Sequence, residues 1–216
     1  MIDTVHASIA LGPLAIYLIV LGMLHLSARP KVTSGGRDFA ALGLGLSGFV
    51  IIGPMHLFFP DDAASNYGWG IWPLLTVFYW LGLTLAALTL RPRLVIYNIS
   101  HRQLKPLVES VTNHLDTDAH GAGDGLLLPN AGIHLYLDST PIFHNAEIVS
   151  IGAHQNFDSW HKLEHALICQ LKDLRNAKSR YAFMPLSLGL GIISTIMFWV
   201  VRDPRIAQEL LDFFAA

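Results

Sequence analysis

Charge is scarce in this chain, and its distribution is more telling than its amount. Asp, Glu, Lys and Arg make up only 14% of the 216 residues, against 52% apolar ones; a soluble domain of this length carries about 25% charge. All four charged types are absent from residues 4–28, 39–60, 63–90 and 181–201. Each gap exceeds the ~18 apolar residues that mark a spanning helix, since about 20 residues rising about 1.5 Å apiece cross the hydrocarbon core. The reading is an α-helical membrane protein with four spans in a 3+1 arrangement. Three fall within residues 1–91, at about 4–28, 39–60 and 68–90, and the fourth is at 181–202. A polar segment, 92–180, is inserted between them.

Other absences narrow the function. One cysteine, Cys169, excludes a disulfide framework. No GxxxxGK[ST] or GxGxxG occurs, and the glycine-rich GAGDG at 121–125 lacks the strand before it and the helix after it that a phosphate loop requires. No Ser or Cys sits in a nucleophile motif, so no catalytic residue is assigned. Between residues 91 and 180, nine Lys and Arg face nine Asp and Glu, which removes the basic footprint of a nucleic-acid binder. The start, MIDTVHAS, has no basic residue and carries Asp3; the positive n-region of a signal peptide is missing, and a retained first helix is expected. No acid or base falls in mid-membrane, where a transporter would need one. Pro54, Pro73 and Pro185 therefore read as helix-end prolines rather than breaks at a substrate site.

What charge there is sets an orientation. Arg29, Lys31 and Arg37 separate the first two spans, and nine more basic residues lie from Arg91 to Arg180; only Arg202 and Arg205 fall on the other side. The positive-inside rule then puts the N-terminus outside, segment 92–180 in the cytosol and the C-terminus outside, in a bacterial inner membrane. Tyr67, Trp69, Trp72 and Trp199 suit the outer headgroup level. Small residues four apart predict close helix contacts: Ala41 and Gly45, Gly43 and Ser47, Gly82 and Ala86, Ser187 and Gly191. Residues 203–216, with Asp203 as cap and Ile206, Leu210, Phe213 and Phe214 on one face, predict a short amphipathic interfacial helix.

Segment 92–180 reads as an α+β domain. LVIYNI (94–99) is a strand, and Ser100-x-x-Gln103 is a capping box for a helix carrying Leu104, Leu107, Val108, Val111 and Leu115. LLLP (126–129) and IHLYLD (133–138) form a hairpin, EIVSIGA (147–153) a further strand, and a second helix runs from about 157 to 177. The order β-α-β-β-β-α places it with the ferredoxin-like α+β class by element order only. Alternation in IHLYLD turns Ile133, Leu135 and Leu137 toward the helices. It leaves His134, Tyr136 and Asp138 on an open face, an interaction surface for a partner or a second copy.

Eight of the 11 histidines lie between 101 and 165. In HQNFDSWHKLEH, a helix extending back to residue 154 would align His154, Asp158, His161 and His165 in one stripe able to hold Zn²⁺ or to respond to pH. HKLEH also fits H-x-x-E-H, in which His161 and His165 would be zinc ligands and Glu164 the base. That chemistry needs a third ligand downstream, and only Asp173 is available on the cytosolic side. His6 and His56 fall at similar depth near the outer face, where two axial haem ligands would sit. Three functional classes fit these residues. The first is an accessory or scaffold membrane subunit with no cofactor, partnered by the bilayer and by other membrane subunits or a second copy. The others are a metal- or pH-responsive membrane protein and a membrane-bound zinc hydrolase.

Overall fold

The computed structural model describes residues 4–27, 29–55, 70–140, 145–152, 156–172, 174, 182–203 and 205–215. In chain order the elements are α1 (Thr4–Leu26), β1 (Lys31–Ser34), α2 (Gly35–Val50), a π-helical turn (Ile51–Met55), α3 (Ile71–Thr89), β2 (Arg93–Tyr97) and α4 (His101–Leu115). They continue with β3 (His120–Ala122), β4 (Gly125–Leu128), β5 (Ile133–Thr140), β6 (Asn145–Ser150), α5 (Phe157–Leu171), α6 (Phe183–Arg202) and α7 (Arg205–Ala215). The chain divides into a helical unit, Met1–Gly22 with Phe39–Thr89 and Met184–Ala216, and an α+β unit, Met23–Asp38 with Leu90–Phe183.

Among the described residues of the chain, four helices are long and apolar enough to cross a membrane: Thr4–Leu26, Gly35–Pro54, Ile71–Thr89 and Phe183–Arg202. Their outer surfaces carry Val77, Phe78, Leu85, Leu88 and Met184, each more than half exposed, a surface suited to lipid rather than water. Inside the helical unit, glycine sets how closely helices approach. Pro13 has no N–H to give the carbonyl of Ile9, and α2 brings Gly48 against that carbonyl. A Cβ on Gly48 would overlap the Ile9 oxygen and lie 2.7 Å from that of Ala10. Gly45 likewise meets Tyr17, and Gly43 meets Leu83, while the Tyr79 hydroxyl donates to the Gly43 carbonyl at 2.6 Å. In α6 the contact falls on Gly189, against Ala15 and Ile19, whereas Gly191 borders open space. Small-residue spacing thus located the approaches at Gly43 and Gly45 of α2 but missed Gly48, and it chose Gly82 of α3 and Gly191 of α6, which both border open space, because spacing says nothing about which face is turned inward.

Asp203 caps α7 through the N–H of Arg205, at 3.1 Å. The apolar side of α7 packs within the unit: Ile206 and Leu210 cluster with Val5, Ile9, Ile51, Ile52 and Trp199. Tyr67 and Trp69 lie outside the described residues, as do the side chains of Phe213 and Phe214.

The α+β unit is built on a six-stranded sheet of order β1-β2-β6-β5-β4-β3, every pairing antiparallel. Two strands were not read from the sequence. β3 is a three-residue edge rich in glycine, too short to show alternation. β1 comes from the connection between α1 and α2 and pairs Lys31–Ser34 with Tyr97–Leu94. The order is therefore β-β-α-β-β-β-β-α, and the ferredoxin-like comparison extends no further than the partial element order; the sheet itself is an antiparallel meander from β3 to β6 with β2 and β1 added at its edge.

One face of the sheet packs on α4 and α5 through Leu94, Ile96, Leu135, Leu137 and Ile148 from the strands, and Leu104, Val108, Trp160, Leu163 and Leu167 from the helices. Gln103 accepts from the Ser100 N–H at 3.3 Å as the capping box predicts. Asp116, the buried residue that ends α4, accepts from the backbone N–H of Asp118, Asn130 and Ala131 and from the Asn130 amide at 2.8–3.2 Å. This ties the end of α4 to the β4–β5 turn. Burial alone would raise the Asp116 carboxyl, but the four donors outweigh it and hold it below the ordinary carboxylate range.

The other face is covered at β2. Val95 and Tyr97 point away from the helices yet are 3% and 7% exposed. The last turn of α1 brings His25, itself 3% exposed, edge-on to the Tyr97 ring at 5.5 Å and 3.1 Å from the Asn145 amide oxygen. The Tyr97 hydroxyl donates to Asp38, in the first turn of α2. Asn98, at φ 60°, a conformation asparagine tolerates better than most residues, donates its amide to the Ser27 carbonyl. The end of α1 and the start of α2 are thus sewn into the sheet by polar groups.

Tyr97→Phe keeps the ring and removes the donor to Asp38; a loss of about 1.5–3 kcal/mol is expected for a hydrogen bond to a charged group, read from unfolding of the detergent-solubilised protein. Asp116→Asn tests the second tie. Because its folded carboxyl lies below the unfolded value of about 3.9, Asp116 contributes stability that is full above that value and lost as pH falls through the folded one. The variant should melt lower at neutral pH, and the gap from the parent should close on acidification below about pH 4.

Candidate functional site

The histidine-rich stretch folds into α5. Asn156 is the N-cap: it has extended backbone, and its side chain accepts from the N–H groups of Asp158 and Ser159 at 3.0 and 3.4 Å. The helix therefore starts at Phe157 and does not extend back to residue 154, as a four-member stripe requires; His154 itself lies outside the described residues. Asp158, His161 and His165 are all exposed. His161 Nδ1 is 3.7 Å from the Glu164 carboxylate, which also stands 3.8 Å from Arg37. Glu164 keeps only 14% of its side chain exposed and faces a cation rather than an open metal position. Among the described residues no three His, Cys, Asp or Glu side chains converge to hold a metal ion. Asp173 and His56 lie outside the described residues, and His6 is half-buried in the first turn of α1.

The open-face residues sit as the alternation of β5 predicts. Ile133, Leu135 and Leu137 are buried, His134 is half-buried, and Tyr136 and Asp138 are exposed. Leu127 lies opposite His134 in the β4–β5 register and, with Tyr136, leaves more than two-fifths of its surface exposed on that face. The GAGDG segment is a turn stitched to α4. Lys105 donates to the Gly123 carbonyl at 2.7 Å and pairs with Asp124 at 3.2 Å, with His101 3.3 Å from the same carboxylate.

The outer side of α5 carries a second exposed set. Phe157 and Ile168 are 68% and 42% exposed, and eleven residues, about three turns at 3.6 per turn, put them on one face with His161 and His165. Cys169 adjoins them and is exposed. The sequence reading passed over Phe157 and Ile168, which look like ordinary helix positions until the buried stripe of Trp160, Leu163, Leu167 and Leu171 is fixed. It also passed over His25, for which the available signal was the unbroken apolar run of LVIY. A strand apolar on both faces is covered on both faces.

No family model matches the chain, and neither a curated protein nor a solved structure is significantly similar to it.

The histidines of α5 can be tested directly. Without metal, His161→Ala/His165→Ala should change stability by no more than about 0.5 kcal/mol, as for other surface substitutions. A melting rise on adding zinc to the parent, absent from the double variant, would show that these imidazoles bind metal after all.

Proposed function

We propose that this chain is an accessory or scaffold subunit of a membrane, probed by no chemistry of its own, whose α+β unit docks a protein partner or a second copy from the cytosolic side of a bacterial inner membrane. The observation that carries the reading is the exposed apolar pair Phe157 and Ile168 on α5, a helix whose opposite face is wholly committed to the core. An aromatic and an aliphatic side chain left in water beside exposed histidines form the centre-and-rim pattern of a protein contact. The topology agrees. Pairing of β1 with β2 supports the reading: with α2 and α3 crossing a membrane as a pair, residues 31–34 and 93–97 share one side of it. The same side then holds twelve of the 14 basic residues.

A metal- or pH-responsive role is the second reading, favoured by Asp158, His161 and His165 sharing the exposed side of α5. It and the docking reading use one surface, and the zinc measurement separates them.

Cys169 is the sole cysteine and lies beside Ile168, which makes it a native probe. In membranes, oxidation should give a Cys169-linked dimer if the partner is a second copy, or a thiol-anchored photo-crosslinker should capture one discrete protein. Ile168→Glu should reduce either product severalfold. Absence of both products in native membranes would overturn the docking reading.

A further inference from the structure

Two of the ligands that a zinc ion takes stand together on α5. His161 and His165 are both exposed. They lie four residues apart on one helix, or about 6 Å along its axis, the spacing at which two imidazoles hold a single ion in helical zinc motifs. A closed tetrahedral zinc site takes about four ligands. Asp158 is exposed one turn before His161, yet among the described residues no three such side chains converge. Among the described residues, then, one copy offers half a site.

The rest of that face points to where the other half comes from. Successive residues advance about 100° round a helix, so Phe157, His161, His165 and Ile168 fall within a stripe about 80° wide. Phe157 lies before the histidines and Ile168 after them, and both are exposed. A stripe that is apolar at both ends and ligating in the middle matches a copy of itself. Laid against a second α5 in the same or the opposite direction, it sets apolar ends on apolar ends and brings two histidine pairs together. Such a self-complementary patch is what a two-fold contact between identical chains requires. A different protein would have to bring ligands of its own to the same place.

One of the imidazoles also has an orienting neighbour. Glu164 keeps only 14% of its side chain exposed and stands 3.7 Å from His161 Nδ1, while its other carboxylate oxygen is 3.8 Å from Arg37. A metal-bound histidine commonly gives its second ring N–H to a carboxylate, which fixes the ring and raises its basicity. Glu164 is placed for that part, with His161 Nε2 as the ligating nitrogen.

We infer that α5 carries half of a zinc site that a second copy of this chain completes, with His161 and His165 of each copy as the four ligands and Phe157 and Ile168 as the apolar contacts at either end. The inference rests on the docking reading of this face, takes a second copy as the occupant and makes the strength of the contact depend on the metal.

The test uses the full chain in detergent micelles, stripped of metal with a chelator, and follows protein mass by light scattering as zinc is added. The parent should dimerise severalfold more tightly with zinc and retain one ion for each pair of chains. Cobalt in place of zinc should give the visible absorption of a tetrahedral ion in the dimer fraction alone. His161→Ala and His165→Ala each leave two ligands per pair and should lose both responses; the positions are exposed, so the fold is kept. One zinc per chain with no change in mass would overturn the inference, as would a zinc-driven dimer that survives in both variants. Mass that is the same with and without zinc would overturn it too. In that case a dimer lost in Ile168→Glu leaves the docking reading standing, so the two fail separately.

Discussion

Burial of β2 on both of its faces governs how this protein is put together. On one face, Leu94 and Ile96 enter the core under α4 and α5. On the other, Tyr97 meets the His25 imidazole and donates to the Asp38 carboxylate, while His25 is bonded to the Asn145 amide and the Asn98 amide to the Ser27 carbonyl. A polar group taken out of water with no partner costs a few kcal/mol, whereas a satisfied one is close to neutral. The arrangement around Tyr97 is therefore favourable only when the end of α1, the start of α2, the end of β2 and the start of β6 are all in place. Such a set is a device for specificity more than for stability, since apolar packing of equal volume would hold the strands as well without selecting one arrangement.

This has a consequence for what the α+β unit is. It is not an insertion between two spans that could be lifted out intact. Its edge strand β1 and the groups that close its second face come from Met23–Asp38, the connection between the first two spans. A segment cut at residues 91 and 180 would lose β1 and leave Tyr97 and Val95 uncovered. The ends of α1 and α2 share their hydrogen bonds with the sheet, so displacement at those ends must be felt at β2 and β6.

The sequence was legible wherever one physical pattern dominated. Charge-free runs marked the four helices long and apolar enough to cross a membrane, because composition of that kind over about 20 residues is itself the signal. Alternation in IHLYLD separated Leu135 from Tyr136 because one face of β5 is packed and the other is not. Capping was legible at Gln103, whose side chain reaches back one turn. The start of α5 at about residue 157 was legible too, and the structure supplies the reason: Asn156 is a better N-cap than a helix interior residue, so the condition on which a stripe reaching residue 154 depends is not met at Asn156. Nothing in KVTS announced a strand, because four residues with mixed burial become a strand only when β2 offers them an edge.

Sequence by itself determined the four apolar helices, both helices and four of the five strands of the polar segment and the side of those elements that seeks the core, since hydrophobic periodicity and composition act locally and need no partner. Tertiary structure alone decided which strands are neighbours, which glycine of α6 meets α1, that Asp116 anchors the β4–β5 turn and that His25 lies against Tyr97. Each of these joins residues distant in the chain through a contact whose free energy exists only once both sides are placed. A lone histidine at the end of a span and a tyrosine at the end of a strand carry no sign of each other until the sheet brings them together.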